Sequence, residues 1–200
     1  MLNPEEAYRK LIASIEPLGG SETVETRHAL GRFAAEDVLA PVDLPPFDAS
    51  AMDGYAVAAH DLDAAAPFEM RVVGASVAGG PSDAGVGGRD AIRILTGAVL
   101  PEGADAIVLQ EDTERRGDTI VVTERPRPGQ HVRTRGHDIA RGDRVVAAGT
   151  RLDAYRLSWL TACGIGRVAV RPRVRVAVFA TGAELVEVGE TLGPGQIYES

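Results

Sequence analysis

The chain has 200 residues, of which 44% are apolar and 25% charged, with a formal net charge of −8. That composition belongs to a folded globular protein and excludes a disordered or fibrous one, and the length allows about one to three domains. The acidic balance argues against nonspecific duplex nucleic-acid binding, where a basic surface supplies the affinity. No uncharged apolar run approaches the roughly 20 residues of a membrane span. The start, "MLNPEEAYRK", lacks a basic segment followed by an apolar one, and the expectation is a cytoplasmic protein. Lys10 is the sole lysine, so the positive charge is arginine, a forked donor suited to phosphate and carboxylate. Cys163 is the sole cysteine, and its apolar neighbours in "WLTACGIG" predict a buried thiol.

In chain order, Asn3-Pro4-Glu5-Glu6 is a helix start: a capping side chain, proline at the first helical position, then acids at the positive end of the dipole. Tyr8, Leu11, Ile12 and Ile15 follow at helical spacing, and Pro17 with Gly19-Gly20 ends the pattern. "ETVET" reads as a short strand, and "RHALGRFAAEDVLA" as a short helix passing into an extended run. The proline-rich stretch over residues 41–50 cannot be a helix interior. From about residue 67 to 139, "FEMRVVGASVA", "AIRIL", "AIVLQEDTE", "TIVVTE" and "QHVRTR" are short β-rich runs parted by turn residues. Arg116-Gly117-Asp118 reads as a hairpin tip. Runs at this spacing predict a compact β domain, a barrel or a sandwich.

"RVVAAGT" then reads as a strand, and "LDAYRLSWLTACG" as a helix capped by Asp153, with Leu157, Leu160 and Thr161 on one face and Gly164 past its end. Residues 176–180, "VAVFA", are continuously apolar, the pattern of a strand buried on both faces of a parallel sheet. Ligands collect beyond the carboxyl end of such a strand, here at Thr181-Gly182. A parallel strand needs a crossover and a partner, so the expectation is the front part of a longer protein.

The segment "LPPFDASAMDGYAV" carries two carboxylates, Asp48 and Asp53, in a stretch with neither helical nor strand period. Asp53 beside Gly54 is either a turn pair or a loop carboxylate that holds a hydrated cation or positions a water. Asp48, after Pro45-Pro46-Phe47, is assigned to shaping the loop. Ser50 can cap a turn or meet a phosphate oxygen. Thr96-Gly97, leaving the strand "AIRIL", exposes a hydroxyl and backbone N–H groups, the makings of an anion nest or of a plain turn. In "RTRGHDIARGD", Arg133 and Arg135 are spaced to share one face of a strand, either a phosphate-binding face or a charged edge. His131, His137 and Asp138 show no compact zinc spacing. Gly182 permits close backbone approach, and Glu184 is either an exposed acid or a magnesium ligand. The Walker and GxSxG patterns are absent.

Together and in order, "DLPPFDASAMDGYAV", "IRILTGAVLPEGADAIVLQED", "VRTRGHDIARGD", "VAVFATGAEL" and "LGPGQIYES" resemble the motifs of the molybdopterin molybdenumtransferases. This is the MoeA-type family, related to the E domain of gephyrin, and the resemblance is to its N-terminal half. It implies the last step of molybdenum cofactor synthesis: molybdate is inserted into adenylylated molybdopterin and AMP is released with a divalent cation, Mg2+. It implies a homodimer, the molybdopterin adenylyltransferase and molybdoenzymes as further partners, and neither nucleic acid nor membrane. Carried over motif by motif, Asp53, Thr96, Asp138 and Glu184 are the catalytic residues, with Asp53 and Glu184 on the metal. Ser50, Gly97, Arg133, Arg135, Thr181 and Gly182 are the substrate-binding residues. Two positions depart from the family pattern: Ala183 stands where "TGDEL" has aspartate, and His137 where glutamate is frequent.

The resemblance implies a mixed, multidomain α/β fold. Residues 1–20 form a helix that packs on the molybdopterin-binding domain. Residues 21–40 with 143–173 form a mixed α/β domain, and 41–142 a β-rich domain inserted into it. Residues 174–200 form the first strand and loop of the molybdopterin-binding α/β domain. The whole protein is expected to be the enzyme, and the 200 residues alone to be inactive. The alternative function is a non-catalytic scaffold or partner-binding module of the same fold.

Overall fold

The computed structural model describes residues 3–16, 18–62 and 65–199. The chain divides into two compact units, one of residues 21–170 and one of residues 1–20 with 171–200. In chain order the elements are α1 (Pro4–Ser14), β1 (Glu22–Glu25), β2 (Val38–Leu39), β3 (Ala49–Ser50), β4 (Gly54–Val57), β5 (Phe68–Ser76), β6 (Asp90–Ile94) and β7 (Ala106–Leu109). They continue with β8 (Thr113–Arg116), β9 (Thr119–Val122), β10 (Val132–Arg133), β11 (Arg144–Val146), α2 (Ala154–Ala162), β12 (Arg167–Val170), β13 (Leu185–Val186) and β14 (Ile197–Tyr198). This is the mixed, β-rich α/β architecture that the sequence predicts.

The unit of residues 21–170 is built on a six-stranded sheet in the order β7-β4-β6-β5-β9-β8. Every pair in it is antiparallel except β5 with β6. That parallel pair requires a crossover, and residues 77–89, rich in glycine, supply it. The hairpin tip falls where the sequence puts it: β8 and β9 turn through Gly117 and Asp118, with Gly117 at φ 62°. Glycine at the first central position is the requirement of a tight hairpin of this hand.

β4 lies between β6 and β7, and all four of its residues are buried. Tyr55 and Val57 join Phe68, Met70, Ile120 and Val122 in one cluster. Ala56 joins Ile94, Ala98 and Ile107 in another. A strand with apolar neighbours on both faces has no reason to alternate, which is why "GYAV" shows no strand period and reads as loop. Gly54 is required by close approach: a Cβ on it would lie 2.0 Å from the Val108 carbonyl oxygen. The Asp-Gly pair is thus a packing constraint.

Around Ala29, Ala34, Val146, Leu152, Leu160, Val168 and Val170 the same unit forms a separate cluster. It is framed by β1 against β12, β2 against β11, and α2. Asp153 caps α2 as expected, accepting from Arg156 N at 2.9 Å. Leu160 is buried, but Thr161 is exposed and bonds back to the Leu157 carbonyl. Cys163 is buried, and burial pushes its thiol pKa up.

In the other unit, Asn3 caps α1 through Oδ1 to Glu5 N at 3.0 Å, with proline at its start. Its apolar positions Tyr8, Leu11, Ile12 and Ile15 are exposed. Pro17, read as part of the helix stop, lies outside the described residues. Residues 176–180, read from the sequence as a buried-type strand, pair with no strand among the described residues, and Val178 is 89% exposed. The parallel pair of this unit is β13 with β14 instead. An apolar run becomes a buried strand only where neighbouring strands satisfy its backbone, and the described residues supply none here.

Candidate functional site

Three strands of the sheet end on a common rung. Gly54 at the start of β4 pairs with Ile94 at the end of β6 and with Leu109 at the end of β7. Asp53, Leu95-Thr96 and Gln110 leave the sheet from that rung. Asp53 Oδ1 accepts from both the backbone N and the Oγ1 of Thr96, each at 2.7 Å. Gln110 N donates to the Asp53 carbonyl at 3.3 Å. The Thr96 hydroxyl and N–H hold the Asp53 carboxyl below the usual carboxylate range, and the Arg93 charge adds to the effect. Its Oδ2 makes no hydrogen bond with the described residues.

Gly97, at φ 80°, turns the chain after Thr96 so that its N–H reaches the Ser50 carbonyl at 2.8 Å. Ser50 N donates in turn to the Ala98 carbonyl. Ser50 itself is buried. Its hydroxyl donates to the Met52 carbonyl at 2.5 Å and accepts from Met52 N at 3.3 Å. These bonds brace the turn.

On its other side the segment of residues 44–51 is stitched to residues 131–139. β3 pairs with β10, Ala51 N donates to the His131 carbonyl, and Asp138 N donates to the Leu44 carbonyl, both at 2.9 Å. Asp48 does shape this junction: its Oδ1 accepts from Arg135 N at 2.7 Å. Asp43 accepts from Arg135 Nε at 2.5 Å and from Arg141 N at 2.7 Å. The expected strand through both arginines stops at Arg133, because residues 134–137 turn. Arg133 pairs with Asp138 and Arg135 with Asp43. Asp138 also contacts His137 Nδ1 at 3.1 Å. The Arg133 bond, then His137, holds its carboxyl below the usual range.

Carboxylates so strongly bonded are ionised at neutral pH and make poor proton acceptors there. They suit charge anchoring, water positioning or cation binding. Thr181, Gly182 and Glu184 belong to the other unit and are exposed. A Cβ on Gly182 would lie 2.6 Å from both Glu184 carboxylate oxygens, so that acid folds over the glycine. Among the described residues no three or more His, Cys, Asp or Glu side chains gather as a metal cage.

Sequence reasoning missed Arg93. Its guanidinium carbon sits 5.3 Å from the Tyr55 ring centre, and it contacts the chains leaving β4, β6 and β7. The signal was present in "AIRIL", where one cation interrupts an apolar strand between two buried isoleucines. A cleft of about 560 Å³, lined in part by Arg125, Arg127, Gln130 and His131, was also missed.

Residues 2–164 match the family model described as the MoeA N-terminal region, domains I and II. A molybdopterin molybdenumtransferase of Haemophilus influenzae is 39% identical over 201 residues, covering 100% of this chain and 49% of that protein. Molybdopterin molybdenumtransferase 2 of Mycobacterium tuberculosis is 38% identical over 198 residues, covering 98% of this chain and 49% of that one. A crystal structure of the molybdopterin biosynthesis MoeA protein of Pyrococcus horikoshii superposes with a TM-score of 0.88 at 36% identity, covering 98% of this chain and 53% of that one. The chain spans about half the length of the curated relatives it matches.

Proposed function

The chain belongs to the family of MoeA N-terminal regions, and from that premise we propose that it forms part of a molybdopterin molybdenumtransferase acting in molybdenum cofactor biosynthesis. The reaction inserts molybdate into adenylylated molybdopterin and releases AMP. The observation that carries this reading is the Asp53–Thr96 pair, an ionised carboxylate held by two hydrogen bonds at the open end of a buried rung.

Both substrates are anions, so the site has to offset negative charge. Arg133 and Arg135 each commit a donor to a carboxylate and keep further guanidinium N–H groups for oxygens. The turn at Thr96-Gly97 adds backbone donors. Arg133 and Arg135 thus orient the anions, and Asp138 fixes the direction in which Arg133 points. Asp53 fits one ligand position of Mg2+ through Oδ2, since Mg2+ takes few protein ligands and keeps water and substrate oxygens. Glu184, exposed in its own unit, is the other carboxylate proposed for Mg2+. The cation, when bound, supplies charge neutralisation at the phosphate as AMP leaves.

The same proposal makes the full-length protein a cytoplasmic homodimer that serves molybdoenzymes and receives its substrate from the molybdopterin adenylyltransferase. It keeps the domain borders at residues 20, 40, 142 and 173; the pairing of β1 with β12 and of β2 with β11, which joins 21–40 to 143–173, supports them, and the compact units divide at residues 20 and 170. The test is molybdate-dependent AMP release from adenylylated molybdopterin, with this chain at full family length. Asp53→Ala is expected to reduce kcat by at least about a hundredfold, and unchanged release would remove the role given to Asp53. The 200 residues alone are expected to show no turnover.

A further inference from the structure

We propose that Arg93 is a positioning residue that clamps the open end of the β4–β6–β7 rung and so holds Asp53 and Thr96 as one rigid pair. Nη1 donates to the Gly54 carbonyl at 2.7 Å and to the Ile94 carbonyl at 3.1 Å. Gly54 and Ile94 are partners in register, so one nitrogen bridges both sides of the last rung. Asp53 is the residue before Gly54, and Thr96 lies two residues past Ile94. Nη2 donates to Gln110 Oε1 at 2.5 Å, and Gln110 N holds the Asp53 carbonyl. One guanidinium therefore reaches the three chains that leave β4, β6 and β7 at this point.

Its own position is fixed from the opposite direction. Arg93 and Tyr55 are cross-strand partners, so their side chains stand on one face of the sheet. The guanidinium stacks on the Tyr55 ring, and Tyr55 is buried. A planar fork with several N–H donors in fixed directions suits three acceptors so placed, and an ammonium on a flexible stem lacks that fixed geometry. A surface arginine serving only solubility makes no such set of bonds.

This inference rests on the function proposed above only for its kinetic test. Its structural test needs no substrate. In Arg93→Met, exchange protection of the Thr96 amide, which donates to Asp53, is expected to fall at least about tenfold. The amides of Ile120 and Val122, on β9, keep theirs. Arg93→Lys retains charge and the aliphatic stem but lacks the fork, and is expected to lose Thr96 protection as well. If Arg93→Met does not fold, Arg93→Lys decides alone. Wild-type protection at Thr96 in Arg93→Lys, or an equal loss at β9, would overturn the proposal.

In the full-length protein, Arg93→Lys is expected to lower kcat for AMP release at least about tenfold with KM within about twofold. A rise in KM at constant kcat would make Arg93 a substrate contact and overturn the positioning role. Absence of AMP release from the wild type would fail the functional reading, while the exchange data would still decide this one.

Discussion

"VAVFA" at residues 176–180 is more apolar than "GYAV" at residues 54–57, yet the second is wholly buried and the first exposed. The difference is in the neighbours. β4 has a hydrogen-bonded strand on each edge and apolar side chains over each face. Residues 176–180 have no strand partner among the described residues. Apolarity makes burial favourable, at about 25 cal/mol per Å², but only pairing lets the backbone follow.

The strongest way to break this contrast is by volume. Gly54→Ala drives a Cβ into the Val108 carbonyl, and because a paired backbone cannot step aside the loss is expected to be about 3 kcal/mol or more. Gly182→Ala meets only the flexible end of Glu184, and its cost is expected within about 0.5 kcal/mol. Chemical denaturation measures both, and equal costs would mean that the two regions pack alike. Next comes truncation. Ile107→Ala, fully buried, is expected to cost about 2–5 kcal/mol, against about 0.5 kcal/mol or less for Val178→Ala.

Hydrogen exchange sharpens the comparison without mutation. Amides of residues 55–57 are expected to exchange only through global opening, and those of residues 176–180 at rates near an unfolded chain. Protection across 176–180 in the isolated chain would point to self-association through that face.

Charge provides the smaller effects. The carboxyls of Asp43 and Asp138 are held below their ordinary value, Asp43 by the Arg141 N–H and then Arg135. Their contribution is therefore present above about pH 4 and lost as the pH falls through the lowered values. Asp43→Asn is expected to flatten this acid limb, measured as the denaturation midpoint against pH. His60 goes the other way: Asp105, at 2.8 Å, and then Asp61 raise its pKa. Its contribution is complete below about pH 6.5 and is lost as the pH rises through the raised value. His60→Asn is expected to remove that alkaline decline, the slightest change of the series.

The caps at Asn3 and Asp153, the hairpin at Gly117 and the β-rich character of residues 67–139 are local matters of dihedral preference and period, and they were legible in the sequence. The candidate residues were legible as motifs. Their partners were not: that Thr96 holds Asp53 and that Arg135 is tied to Asp43 and Asp48 depend on strands meeting from distant parts of the chain. Arg93 was hidden for the same reason, since its role exists only at a rung that three strands share.

By itself the sequence determined the local elements and the order of the motifs, because those depend on residues a few positions apart. The tertiary structure decided which apolar run is core and which carboxylate is held ionised. Burial and hydrogen bonding at those places come from neighbours that the chain brings in from more than 40 residues away, and local pattern carries no record of them.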